Sequence, residues 1–190
     1  MKDRKLLNIE LGRVSPEQYK DLPESGVCVV LDNIRSAHNV GSVFRSADSF
    51  KVDKVWLCGI CAVPPSPEIH KSALGAEFSV DWVYEKETMD AVRKLKEDGY
   101  VVLSVEQTVN SIKLDKFVPE PGKKYALVLG NEVDGVQQEV VDASDGVLEI
   151  PQFGTKHSLN ISVTKTPLKL LWVMSMRHRK KPSVSFTEAT

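Results

Sequence analysis

An α/β fold, with a mostly parallel sheet and helices on both faces, is what the sequence predicts, on three observations. Short apolar runs alternate with helical stretches along the chain. Several runs, such as Val27-Cys28-Val29-Val30-Leu31 and Tyr125-Ala126-Leu127-Val128-Leu129, are continuously apolar, the pattern of strands buried on both faces. Strands separated by helices imply crossover connections, which set neighbours parallel and lay helices over the sheet. The 190 residues are a little more than one domain at roughly 150 residues per domain. A content of 42% apolar and 27% charged residues excludes a fibrous or low-complexity chain.

The first strand, Val27 to Leu31, ends at the polar turn Asp32-Asn33. Val40, Val43, Phe44, Ala47 and Phe50 then form one stripe of an amphipathic helix, with Asn39 read as its N-cap. A strand from Lys54 to Cys58 completes a β-α-β unit. Pro64, Pro65 and Pro67 mark a loop, and Pro67 is placed to open a short helix through His70 and Ala73. Val80, Trp82 and Tyr84 alternate as a strand. Met89, Val92 and Leu95 make a second helical stripe that Gly99 ends, and Tyr100 to Val105 is the next strand. Residues 106–124 read as polar and irregular. The strand Tyr125 to Leu129, a short helix over Gln137 to Ala143 and a last strand from Gly146 to Ile150 follow. The expected organisation is an N-terminal extension over 1–25, one domain over 26–174 and a basic tail over 175–190.

Lys and Arg total 25 against 26 acids, a net charge of −1, so no global positive field announces nucleic acid and any such partner is held by a local patch. The charged start Met1-Lys2-Asp3-Arg4-Lys5 lacks the apolar core of a signal peptide. The greasy stretch Leu168 to Met174 is interrupted by Lys169 and is far shorter than the roughly 20 residues a bilayer needs. The expectation is a cytoplasmic protein with no membrane partner. Three cysteines, Cys28, Cys58 and Cys61, cannot all pair within one chain, and free thiols are expected. Cys58-Gly59-Ile60-Cys61 offers a rival redox or metal chemistry. An apolar strand precedes the pair where a redox motif wants a helix N-terminus, and a zinc site needs Cys28 with His38 or His70 to complete it from unrelated spacings.

In open parallel sheets the chemistry sits on loops beyond the carboxyl ends of strands. Three loops follow strands immediately here. The first, Leu31 to Arg45, carries Asn39, Gly41 and Arg45, and Gly41 one turn before Arg45 reads as space for a bulky partner to approach the guanidinium. Taken alone, Arg45 reads more readily as a surface partner of Asp48 or a plain solvated cation. The second loop sets Glu132 between Gly130 and Gly135 and is not a phosphate loop, since Gln137 and Gln138 stand where Lys and Ser or Thr would be needed. Alone, Glu132 reads as a solvated turn acid. The third runs from Ile150 to Val163, with Ser158 as a helix cap and Asn160 able to donate and accept. Its β-branched Ile161, Val163, Thr164 and Thr166 suit a strand nearly as well.

Together, Asn-Val-Gly-Ser-Val-Phe-Arg, Gly-Asn-Glu-Val-Asp-Gly-Val and Ser-Leu-Asn-Ile-Ser-Val, each at a strand end and in this order, resemble the three motifs of the SpoU/TrmH family of RNA ribose 2′-O-methyltransferases of the SPOUT superfamily. The resemblance covers about residues 26–163. It implies a C-terminal deep trefoil knot, a rare exception to unknotted chains, a homodimer, and S-adenosylmethionine held in the knot. It places Asn39, Arg45, Glu132, Ser158 and Asn160 at the catalytic centre, and Leu129, Gly130, Ile150, Gln152, Ser158 and Leu159 where the methyl donor is held. The sulfonium already activates the methyl group, so the enzyme has to align a ribose 2′-OH and accommodate its proton. A guanidinium is a poor base, so Arg45 is read as holding the target phosphate or polarising the 2′-oxygen while the others shape the pocket.

RNA binding requires local positive charge, for which Arg35, Lys71 and Lys156 are the candidates, with Arg177 to Lys181 as a phosphate-contacting or simply solvated end. The substrate class implied is tRNA or rRNA. After Val163 the chain departs from the family pattern: Pro167 disfavours helix at Thr166, where the closing helix of the knot is implied. Two rival readings therefore stand beside ribose methylation. One is an RNA-binding module with an impaired donor pocket. The other is a base-directed RNA methyltransferase, against which the Asn39/Arg45 and Ser158/Asn160 set favours ribose.

Overall fold

The structure is a computed structural model that describes residues 3–12 and 14–152. A short 3-10 helix (Asn8–Leu11) and α1 (Pro16–Lys20) precede β1 (Val27–Asp32), α2 (Ala37–Ser49) and β2 (Lys54–Cys58). There follow α3 (Pro67–Ala73), α4 (Ala76–Ser79), β3 (Asp81–Glu85), α5 (Thr88–Glu97), β4 (Tyr100–Val105) and β5 (Ile112–Lys113). The described part ends with β6 (Lys124–Gly130), α6 (Gln138–Ala143) and β7 (Gly146–Glu149). The strands form one sheet in the order β3-β2-β1-β6-β4-β7-β5, and its pairings are all parallel.

Alternation along β1 and β6 divides the core between the two faces of the sheet. Val29, Leu31, Leu127 and Leu129 point into a layer closed by Val40, Val43, Phe44 and Ala47 of α2 and by Ile69 and Ala73 of α3. Cys28, Val30, Ala126 and Val128 point the other way, against Ala91, Val92 and Leu95 of α5 and Val140 of α6. Both layers are built of apolar side chains, and all six residues of β1 are buried. The sequence pattern of fully buried strands therefore has the cause expected of it, a helix layer over each face.

Strand β6 lies between β1 and β4, beside its partner in register from Val27↔Tyr125 to Asp32↔Gly130. The connection leaving β1 runs to β2 on one side, and the connection leaving β6 runs past β4 to β7 on the other. Adjacent strands whose connections part in opposite directions open a crevice beyond their carboxyl ends, the usual ligand position in such sheets.

Several local expectations are corrected. Helix α2 begins three residues earlier than the apolar stripe implied: Ser36 is its N-cap, and the Ser36 hydroxyl accepts the Asn39 N–H at 3.2 Å. Asn39 is thus in the first turn, and its side chain is free for another partner. The irregular stretch after β4 contains β5, two exposed residues paired to β7 at the sheet edge, too short to leave a periodic signal. The last strand stops at Glu149 rather than Ile150. The N-terminal stretch contains α1, capped by Ser15 and opened by Pro16. Its Tyr19 is 6% exposed and its hydroxyl donates to the Ala47 carbonyl at 3.4 Å, which fastens the N-terminal stretch to α2.

Candidate active site

The end of β1 is organised by a carboxylate that the sequence reading passed over. Asp32 is fully buried. Its Oδ1 accepts from the Thr88 hydroxyl at 2.6 Å and from the Asn33 carboxamide at 2.9 Å, and its Oδ2 accepts the Gln137 N–H at 2.8 Å. Three donors satisfy a charge that would otherwise be expensive to bury. In doing so they tie the start of α5 and the entry to α6 to the first strand.

On the other side of β6, Glu106 at the end of β4 acts in parallel. Its Oε2 accepts the Val136 N–H at 3.1 Å, and its Oε1 accepts the Gln107 N–H at 2.8 Å. Two successive amides, Val136 and Gln137, are therefore held by carboxylates from the strands flanking β6. Within the loop, Asn131 Oδ1 accepts the N–H groups of Val133 and Asp134 at 2.9 and 2.8 Å, folding the chain back so that Gly135 N donates to the Asn131 carbonyl at 3.1 Å. The turn is so tight that a Cβ on Gly130 would meet the Gly135 carbonyl carbon at 2.0 Å, and Gly135 itself has φ +70°. Only glycine serves at both ends.

The purpose of that folding is visible at Glu132. It is carried out to the surface of the loop, and its Oε1 accepts from the Asn39 carboxamide, joining the first loop to the second. Asn39 is 7% exposed. The two residues singled out from separate motifs, 93 positions apart, thus meet in one hydrogen bond over the β1/β6 crevice.

The remaining predicted residues divide. Arg45 is exposed, makes no ion pair among the described residues, and lies about 120° round α2 and about 9 Å further along it from Asn39. No hydrogen bond or ion pair joins it to Asn39 or Glu132 among the described residues. Gly41 is corrected in role: a Cβ there would meet the Ser72 hydroxyl at 2.1 Å and the Ile69 carbonyl at 2.4 Å, so it serves the packing of α3 on α2 rather than access to Arg45. Arg35 and Lys71 are exposed beside the first loop and on α3. Of the predicted donor contacts, Leu129 has its side chain in the core at 2% exposure and offers backbone only, while Gly130, Ile150 and Gln152 are half-buried at or just beyond the carboxyl ends of β6 and β7. Lys156, Ser158, Leu159, Asn160, the knot, the closing segment around Pro167 and the basic tail lie outside the described residues.

The cysteine pair has a different use from the rival chemistry. Cys61 Sγ accepts the Ile34 N–H at 3.1 Å and donates to the Leu31 carbonyl at 3.4 Å, clamping the first loop to the loop after β2. Beside it, Asn33 Oδ1 accepts the Ile60 N–H at 3.2 Å. Burial pushes the thiols of Cys61 and Cys28 up to about 11, and that of Cys58 further still. These are the reverse of the lowered values that make a thiol reactive. Among the described residues, no His, Cys, Asp and Glu group is arranged to hold a metal, and no helix is long and apolar enough to cross a membrane.

Fold and site define a class: a parallel α/β protein whose first two motif loops are joined beyond the carboxyl ends of the adjacent strands β1 and β6. More narrowly, the chain belongs to the SpoU rRNA Methylase family, which residues 26–166 match. It is 30% identical over 163 residues to a TrmH family tRNA/rRNA methyltransferase of Staphylococcus haemolyticus, covering 86% of this chain and 64% of the relative. It is 32% identical over 147 residues to the 23S rRNA (guanosine-2'-O-)-methyltransferase RlmB of Nitrosomonas europaea, covering 75% and 54%. Among solved structures, the AdoMet-bound rRNA methyltransferase from Sinorhizobium meliloti superposes with a TM-score of 0.71 at 25% identity, covering 88% of this chain and 62% of that one. The chain therefore spans less than two thirds of the length of each of these relatives.

Proposed function

We propose that the chain transfers a methyl group from S-adenosylmethionine to a ribose 2′-OH of structured RNA, tRNA or rRNA. The observation that carries this reading is the Asn39–Glu132 bond, which brings the first two family motifs together over the β1/β6 crevice. Family membership and the relatives' descriptions as tRNA/rRNA methyltransferases support it. In this reading residues 26–174 form the methyltransferase domain, 1–25 an extension and 175–190 a basic tail. The segment after Gln152 closes the domain as a deep trefoil knot, and two copies associate as a cytoplasmic homodimer.

The residues present fit the methyl donor. Gly130 carries no side chain, Ile150 and Gln152 are half-buried at a neighbouring strand end, and Asp32 and Glu106 hold the intervening loop rigid without entering the crevice as free charges. The donor supplies an activated methyl group on a sulfonium. What remains for the protein is alignment, the effect that contributes most when the leaving group is already good. Glu132, oriented by Asn39, shapes the crevice where the ribose enters. Ser158 and Asn160 complete it from the third motif, with Leu129, Gly130, Ile150, Gln152, Ser158 and Leu159 around the donor. Arg45, charged and exposed, holds the target phosphate, while Arg35, Lys71 and Lys156 contact neighbouring phosphates.

Calorimetric titration of the full-length chain with S-adenosylmethionine, followed by methyl transfer to unmodified tRNA and rRNA transcripts, tests the reading. Saturable binding near one site per chain and a 2′-O-methylated nucleotide are expected. A folded chain that binds no donor is not this enzyme. Arg45→Lys with full turnover at saturating RNA removes the bidentate phosphate role.

A further inference from the structure

The corner between α3 and α4 carries an aromatic surface that neither the core nor the site above uses. The chain turns there through Leu74 and Gly75, both with positive φ, 55° and 93°. That turn brings the His70 and Phe78 rings to 5.9 Å between centroids, with 50° between their planes. Phe78 is 62% exposed, and Leu74, one turn after His70, is 65% exposed. An exposed phenyl ring paired with an exposed imidazole is a candidate contact surface.

The histidine is not left to swing. Its Nδ1–H donates to Glu77 Oε1 at 2.5 Å, and the Glu77 side chain is 3% exposed. The other oxygen of that carboxylate has no hydrogen-bond partner. Burying a half-satisfied carboxylate is unfavourable, and its visible effect is to fix the plane of an exposed imidazole beside an exposed phenyl ring.

Charge indicates the occupant. Lys71, next to His70, is exposed, and the acid on the same helix, Glu68, accepts from the Ser66 hydroxyl at 3.2 Å at the helix start. Helix α3 is docked rigidly on α2, where the Ser72 hydroxyl donates to the His38 carbonyl at 2.9 Å. The corner is therefore fixed relative to Asn39 and to the exposed Arg45. Lysine is depleted from the cores of protein interfaces, which disfavours a second copy of the chain as the cover. Aromatic faces bordered by cations are how unpaired bases are stacked while phosphates run alongside.

We propose that His70 and Phe78 form a stacking platform for an unpaired nucleobase of the RNA, with Lys71 on an adjoining phosphate. This rests on the reading of the chain as an RNA-directed enzyme and adds a base contact outside the three motif loops.

The test uses the full-length chain and a single-stranded oligoribonucleotide carrying 2-aminopurine, whose fluorescence reports stacking. Phe78→Ala is expected to weaken binding roughly ten- to a hundredfold, the range set by loss of one stacked base. Phe78→Trp keeps the affinity, and Phe78→Leu, which preserves apolar area but not the π face, loses as much as alanine. Lys71→Ala lowers the slope of log affinity against log salt by about 0.7 to 1, whereas Phe78→Ala leaves that slope unchanged. Wild-type affinity in both Phe78→Ala and Phe78→Leu, with RNA still bound, overturns the platform and leaves the enzymatic reading standing. A Phe78→Asp chain that sediments as a smaller species than the wild type assigns the surface to a second copy and overturns the platform as well. A wild-type chain that binds neither this oligonucleotide nor tRNA and rRNA transcripts removes the RNA reading itself, and the platform with it.

Discussion

Asn39 and Glu132 are worth little separately, a residue in a helix's first turn and a loop acid, and their meaning comes from the bond between them. Asn39→Ala removes the donor without touching the core, so single-turnover methyl transfer is expected to fall about tenfold or more, the loss typical of a hydrogen bond to a charged group. The melting temperature should move little. Asp32 is the opposite case. Asp32→Ala leaves the Thr88 hydroxyl and the Gln137 amide unpaired in a buried position, and urea denaturation is expected to show a loss of about 2–4 kcal/mol. The cysteines give a third residue-scale prediction. With Cys28 and Cys61 pushed up to about 11 by burial and Cys58 further, the native chain should resist iodoacetamide at pH 8, and all three thiols should react once it is unfolded, as read by mass spectrometry. Rapid labelling of Cys61 in the native state would contradict the clamp on Ile34 and Leu31. Asn39 and Glu132 were picked out only through the joint resemblance of the three motifs, since taken alone they read as a helix cap and a solvated turn acid. Asp32 and Glu106 were not, since an acid just past an apolar run reads as a solvated turn, and their backbone partners are 105 and 30 residues away.

At the scale of elements, the α2–α3 contact shows why a motif glycine can mislead. Gly41 sits in the first loop's signature and invites a ligand reading, yet its missing Cβ is filled by the Ile69 carbonyl and the Ser72 hydroxyl. Gly41→Ala drives the new methyl against the Ile69 carbonyl and the Ser72 hydroxyl, and the expected cost is on the order of 1–3 kcal/mol of stability, measured as a lower denaturation midpoint. Because α2 carries Asn39, donor-independent RNA affinity and turnover should fall with it. The strands were legible to within a residue or so because burial on both faces makes them uniformly apolar. The exceptions have physical reasons: β5 is two exposed residues, α4 is a single turn following a positive-φ corner, and Ser36 caps α2 through a hydroxyl whose bond to the Asn39 amide leaves no periodic trace.

For the whole molecule, a net charge of −1 makes RNA affinity depend on where the cations lie rather than on how many there are. Arg35, Arg45 and Lys71 are all exposed, and binding to tRNA or rRNA transcripts is expected to weaken steeply as salt rises. An affinity indifferent to salt would sink that account. Light scattering is expected to give about twice the 21.1 kDa chain mass for the proposed homodimer, and a monomer would separate dimerisation from whatever activity the chain retains. The sequence by itself determined the α/β class and the order of nearly every described strand and helix, because binary pattern and turn chemistry are local and survive in one dimension. Only the tertiary structure decided that β6 inserts between β1 and β4, that Asn39 bonds Glu132, and that carboxylates on either side of β6, one buried and one half-buried, hold the second loop. Those are choices of partner between residues far apart in the chain, fixed by which strand lies beside which, and no local pattern carries them.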